Sequence, residues 1–293
     1  MSDESKGMIL GFIAVTAFGL TLPATRFIIP YFDPVFIGLG RAVIAAITAA
    51  ILLFVTHQPL PEKQQFKQLL IVAFGVVAGF PVLSAWAMQT VPAAHGGVVL
   101  GILPLATALV GALITREKPS IGFWISASMG SGLVVAYALL NGDGSIHWGD
   151  LALLGAIISA AAGYAVGGQL ATTLGSWQVI CWALVISLPF IILPVWVTAP
   201  NHIQHIPLST WMGFLYLALV SQLFGFFLWY RGLALGGIVR VSQTQLLQPF
   251  ITLIAAGLWM HETIDALTLI FALLVVTCVA IGKRIPIHRK TLI

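Results

Sequence analysis

Four hydrogen-bonding side chains, Ser242, Gln245, Gln248 and Thr252, recur every three or four residues inside an otherwise apolar run. On a helix this spacing puts them on one stripe, with Pro249 beside them. Facing lipid, each would lack a partner, so the stripe must look onto a cavity or onto another helix. Glutamine both donates and accepts, and two of them suit a zwitterionic or amide-bearing solute. Arg41 is the second conspicuous group. It lies roughly 10 Å past Pro34 in another apolar run, where an unpaired Arg costs about 3 kcal/mol by insertion scales. Its side chain must therefore meet protein or water: a solute carboxylate, an external gate, or an interhelical tie to backbone carbonyls. Arg26 sits only about 6 Å from Pro30, so snorkelling to the interface accounts for it. His95 either titrates at a cavity mouth or is a hydrogen-bonded structural histidine.

Other chemistry is poorly supplied. Every Asp and Glu falls at a helix end or in a connection, so no intramembrane carboxylate for ion coupling is apparent. His202 and His205 form His-x-x-His without a third ligand nearby, which makes a metal site a poor reading. No G-x-x-x-x-G-K-[ST] loop is present, and no paired acids or activated Ser or Cys stand at catalytic spacing. Cys181 and Cys278 fall inside apolar runs and act as small apolar groups. The expectation is no catalytic residue, no cofactor and no metal. An intramembrane enzyme remains the competing class.

The elements that position these residues follow from composition. Of 293 residues, 59% are hydrophobic and 8% charged, against about 25% charged in an ordinary soluble domain. A charged coat for water cannot be made, and the continuous apolar runs, about twenty residues long, are membrane helices rather than the alternating strands of a barrel. Pro, Gly, Asn and charged clusters cut the chain into spans 7–29, 34–56, 68–90, 93–115 and 120–140, then 149–172, 176–198, 211–232, 238–260 and 264–282. The run after Met1–Lys6 is too long for a cleaved leader's core, so it is expected to be a retained anchor. Connections are short and leave no room for a soluble domain.

With the N-terminus cytoplasmic, Lys63, Lys67, Arg116, Lys118, Arg231, Arg240, Lys283, Arg284, Arg289 and Lys290 all fall on that side. Asp33, Asp143, Asp150, Glu262 and Asp265 fall on the other. This is the positive-inside pattern with both ends cytoplasmic. The net charge of +4 therefore reports topology, and a nucleic-acid partner is not expected because the basic residues are dispersed. Most of the nine Trp fall at span ends, Trp229 among them, and read as an interfacial belt.

An offset of 145 residues aligns Pro104 with Pro249, Thr107 with Thr252, Leu113 with Leu258 and Glu117 with Glu262. Five spans is an odd number, so two copies in series must insert with opposite orientation. Two five-helix units with this P-x12-E landmark resemble the EamA units of the drug/metabolite transporter superfamily. At whole-chain level the likeness is greatest to exporters of aromatic and other amino acids. The resemblance implies a ten-helix basket around a central cavity and efflux of amino acids or similar metabolites without ATP. A broad drug or nucleotide-sugar carrier of the same superfamily is the alternative, although anionic sugar nucleotides call for more cavity cations than Arg41.

The expected fold is thus all-α: ten transmembrane helices in two inverted repeats, 1–140 and 149–282, followed by a basic tail, 283–293. Alternating access without a coupling ion follows from the repeat and the missing carboxylate. The expected partners are a small-molecule substrate and a bacterial inner (plasma) membrane, in a monomer. The expected lining is Ser242, Gln245, Gln248 and Thr252, facing small or apolar groups at Gly97, Leu100, Gly101 and Thr107. Phe80, Ser84, Tyr164, Gly163, Ser221, Gln222, Trp229 and Thr21 are further candidates. Pro23 and Pro81 each free a backbone carbonyl and, with Arg41 and His95, are the candidate gating residues. Gly75/Gly79, Gly97/Gly101 and Gly163/Gly167 allow close helix packing.

Overall fold

A computed structural model describes residues 2–115, 118–141, 148–200, 203–260, 264–284 and 287–288. Arg116, Glu117, Asp143, His202, Glu262, Arg289 and Lys290 lie outside the described residues. The chain is helical almost throughout. Among the described residues, seven segments are long and apolar enough to cross a membrane: α1 (Asp3–Ile28), α2 (Phe36–Val55), α3 (Lys63–Ala87), α4 (Ala93–Ile114), then, after α5 (Ile121–Asn141), α6 (Trp148–Leu170), α7 (Ser176–Val197) and α8 (Leu208–Gly236). The helical stretch 238–260 is α9, and Ala266–Arg284 is α10. Two-residue strands, Lys118–Pro119 and Ile287–His288, pair antiparallel.

Local chemistry sets the boundaries. Ser2 caps α1 by accepting from the Ser5 N–H at 3.2 Å. α3 begins at Lys63, about a turn before the apolar run, because Glu62 and Gln65 form a reciprocal capping box. Gly237 alone separates α8 from α9, and its φ of 86° turns the chain where a side chain would be strained. Asp265 caps α10, its Oδ1 accepting from the Thr268 N–H at 2.8 Å. That hydrogen bonding holds its carboxyl below the usual carboxylate range, the Thr268 side-chain contact contributing most.

Large apolar side chains cover the outside: Phe54, Phe74, Leu113, Trp196 and Leu258 are all at least 70% exposed. That surface is stable only against lipid. Inside, close backbone approach replaces the hydrophobic drive that lipid removes. A Cβ on Gly7 would come within 2.7 Å of the Gly236 backbone nitrogen, and one on Gly75 within 2.5 Å of the Ser159 carbonyl. Those glycines seat α1 on α8 and α3 on α6.

Contacts define two ends. Glu4 pairs with Arg240 at 3.3 Å, beside Gly7 and Gly236. At the other end Arg26 Nη1 donates to the Met88 carbonyl, and Ile28 packs on Gly213. Arg26 thus satisfies a terminal carbonyl of α3 rather than only snorkelling. Trp229 is fully buried, edge-on to Phe18 at 6.0 Å and against Tyr164 at 5.3 Å, so it belongs to the core and not to the belt. Trp86, Trp124, Trp148, Trp196 and Trp259 are the exposed ones.

Candidate functional site

Where α1, α2, α3, α6, α8 and α9 converge, a closed chamber is lined by Phe18, Thr21, Arg41, Val76, Phe80, Tyr164, Ser221, Gln222, Phe226 and Gln248. It leaves about 10 Å³, room for about one water, so admitting a solute requires the helices to part. Seven of the sequence-derived candidates meet here: Thr21, Arg41, Phe80, Tyr164, Ser221, Gln222 and Gln248. Phe18, Val76 and Phe226 were invisible in sequence, being apolar residues in apolar runs.

The backbone around the chamber is irregular, and prolines explain why. Pro23 has no N–H for the Gly19 carbonyl, and α1 breaks between Gly19 and Thr21. The orphaned carbonyl is taken by Thr252 Oγ1 of α9 at 2.7 Å. In α3, residues Ala73–Gly79 form a π-helical stretch that ends with the Phe80 N–H on the Gly75 carbonyl. In that register Pro81 stands opposite the Val76 carbonyl and cannot donate to it. Gln222 Nε2 of α8 does so instead, at 2.9 Å. Gln222 itself lies in a second π-helical stretch, Tyr216–Phe224, and a third, Phe36–Gly40, leads into Arg41. Such irregular ladders are tolerated at membrane depth where protein re-satisfies the freed groups, and π segments concentrate at functional sites.

Pro104 and Pro249 act alike. Each removes the donor for the carbonyl four residues back, at Leu100 and Gln245. Each time the ladder tightens to a 3₁₀ turn, the Leu103 N–H donating to Leu100 and the Gln248 N–H to Gln245.

Polar groups are unevenly satisfied. Thr21 and Ser221 hydroxyls share a 2.8 Å bond. Ser242 Oγ donates to the Val239 carbonyl at 3.0 Å and Ser84 Oγ to Pro81 at 3.2 Å, both local bonds. The Gly163 carbonyl accepts from Tyr230 at 3.1 Å, and the Gly163 Cα faces Val76. Leu100 is buried in the core, and Gly101 seats α4 against Val275 and Pro249. Gln248 Oε1, both amide atoms of Gln245 and Nε of Arg41 are buried with no hydrogen-bond partner. Arg41 is 2% exposed, and among the described residues no carboxylate comes within ion-pair distance of it. An interhelical carbonyl tie is not what this Nε makes.

Aromatic rings cluster toward both ends of the bundle. Toward Gly7 and Gly236, Phe18 stacks with Tyr164 at 6.2 Å and meets Phe226 at 5.1 Å, above Trp229 and Tyr230. Toward the other end, Phe32, Phe36, Trp211 and Phe214 pack with centroids 5.0–6.0 Å apart. At that end His95 Nε2 and Asp150 Oδ1 lie 2.8 Å apart, both mostly buried, with His95 5.2 Å from the Tyr137 ring. Tyr137 in turn bonds Thr268 at 3.0 Å. Asp150 opens α6 yet is 6% exposed, so a helix-end position did not make it a solvated acid. Pro23 lines a separate apolar groove of about 650 Å³ with Ala24, Phe27, Met212 and Tyr216.

A lipid-facing helical bundle closing on a small polar chamber defines a multi-span membrane protein of the transporter class. Residues 5–138 and 147–281 each match the EamA-like transporter family, and the chain belongs to that family. It is 44% identical to the uncharacterized transporter YdeK of Bacillus subtilis, over 97% of this chain and 99% of that one. It is 25% identical to a probable amino-acid metabolite efflux pump of Salmonella typhimurium, over 92% of each. A solved crystal structure 15% identical superposes with a TM-score of 0.71 over 96% of this chain and 97% of the other, which speaks to fold alone.

Proposed function

We propose that this protein exports amino acids or similar small metabolites by alternating access, with the closed chamber as its substrate site. The observation that carries the reading is the chamber itself. In a chain this apolar, Nε of Arg41 and Oε1 of Gln248 are buried without a partner in its lining, with the unpartnered Gln245 amide one turn away on α9, and unsatisfied polar groups at membrane depth mark a substrate path. The relative named as an amino-acid metabolite efflux pump supports the substrate class.

Two five-helix units, 1–140 and 149–282, would cross the bilayer ten times with opposite orientation, both ends cytoplasmic and the basic tail 283–293 among them. The family matches the chain twice, in support of that division. The irregularities also recur at the 145-residue offset. The 3₁₀ bond from Leu103 to Leu100 maps onto that from Gln248 to Gln245, and the π stretch Ala73–Gly79 maps inside Tyr216–Phe224. In a bacterial inner membrane the Phe18 cluster would then close the cytoplasmic side and the Phe32 cluster the outer side.

The solute's own gradient sets the direction. Purified protein in liposomes, challenged with a radiolabelled amino-acid panel, tests the reading. Flux above empty liposomes is expected, reduced in Gln248→Ala and Gln245→Ala. Normal flux in both variants overturns the site, and uphill accumulation on an imposed proton gradient overturns the uncoupled mechanism.

A further inference from the structure

We infer that the chamber recognises its solute by a carboxylate held on Arg41, and that it does not read a solute's amino group by charge. The inference rests on the chamber being the substrate site. Arg41 lines it, 2% exposed, with Nε unpartnered and no acidic residue beside it among the described residues. A guanidinium so placed presents a fork of donors that matches a carboxylate bidentately. One cation balances one negative charge, whereas a phosphate dianion would leave the second unmatched. What faces a solute ammonium is different in kind. Gln248 Oε1, unpartnered and 4% exposed, and the Thr21–Ser221 hydroxyl pair are neutral acceptors. Among the described residues no carboxylate lines the chamber. Phe18, Phe80 and Phe226 supply the apolar remainder, which suits a hydrocarbon or aromatic side chain.

The consequence is a substrate class wider than amino acids in one direction and narrower in another. Monocarboxylates lacking an amino group, such as 2-oxo acids, bind alongside amino acids. Amines and amides built on the same side chain do not.

A matched set tests this: phenylalanine, phenylpyruvate, phenylalaninamide and phenethylamine, applied to the purified full-length protein. Binding is read by ligand-induced thermal stabilisation and flux in proteoliposomes. The two carboxylates are expected to stabilise the wild type, and the amide and amine are not. Arg41→Gln should weaken carboxylate binding at least about tenfold, the scale of a lost charge-assisted bond, with Arg41→Lys between the two. Stabilisation by the amide or amine as strong as by phenylalanine overturns the inference. So does phenylalanine binding without phenylpyruvate binding, or undiminished binding in folded Arg41→Gln. The ligand comparison on the wild type stands even if that variant fails to fold. Flux of the amide and amine but not of the carboxylates defeats the inference and leaves transport standing. Arg41-dependent binding of carboxylates without any flux defeats transport instead. If none of the four binds, the carboxylate site itself is refuted.

Discussion

The bond from Thr252 to the Gly19 carbonyl offers a double-mutant test of how the chamber's irregular backbone is held. Thr252 is fully buried and its Oγ1 lies 2.7 Å from a carbonyl that Pro23 has deprived of its helical donor. Replacing Thr252 by Val keeps the shape and leaves that acceptor unsatisfied. Such a loss costs about 1–3 kcal/mol in general, and interhelical bonds within membranes average about 0.6 with a maximum of about 1.7. About 1–1.5 kcal/mol is therefore expected, close to a tenfold change in the folding equilibrium. Pro23→Ala returns an N–H to position 23, which can bond Gly19 within the helix. In that background Thr252→Val should cost at most a few tenths of a kcal/mol, so the cycle should show a coupling near 1 kcal/mol. Reversible unfolding in mixed detergent micelles measures all four proteins. If Thr252→Val costs the same in the wild type as in the Pro23→Ala background, the proline is not what makes Thr252 necessary, and the account of the α1 break is wrong.

Two further outcomes follow from other contacts. His95→Asn or Asp150→Asn should each lower the melting temperature in detergent, and the double variant should lose less than the sum of the two. Strict additivity would mean that the 2.8 Å contact carries no coupling energy. Asp265→Ala should lose about 1 kcal/mol of stability through its cap. Because the folded carboxyl titrates below its unfolded value, the wild type holds that contribution at neutral pH and gives it up as acid protonates Asp265. A wild-type minus Asp265→Ala difference that fails to shrink below about pH 4 would count against the cap.

The fold class was legible because lipid imposes a simple rule, long apolar runs with short connections. Arg41 and Gln248 were legible for the same reason, since a polar side chain in such a run needs an explanation. What composition could not show was pairing across the chain. Asp150 reads as a helix-end acid until α4 brings His95 to it across 55 positions. Trp229 reads as an interface anchor until Phe18 and Tyr164 enclose it. Phe18, Val76 and Phe226 carry no signal, because an apolar residue facing a chamber looks like one facing lipid. Glu62 and Gln65 did carry a signal, a capping box that places the α3 boundary five residues ahead of the hydropathy edge at residue 68.

Pro23 and Pro81 were readable as helix breakers, but the partners of the freed carbonyls were not, and those partners have a mechanical consequence. Gly19 and Val76 belong to the first half of the chain, while Thr252 and Gln222, which satisfy them, belong to the second. Under the proposed mechanism the halves rock against each other around the chamber. Any opening that separates α1 from α9, or α3 from α8, strands a carbonyl at membrane depth, at about 1 kcal/mol each. The closed chamber is favoured by those two bonds until something else supplies donors or water fills the gap. A solute that enters between the halves brings water and polar groups of its own, so it lowers the cost of the opening that admits it. Substituting Gln222 by Leu removes one bond from the closed form and should favour the open one. Faster cysteine labelling of a reporter engineered at Ser221 is the expected readout, and unchanged labelling would show that the bond does not hold the chamber shut.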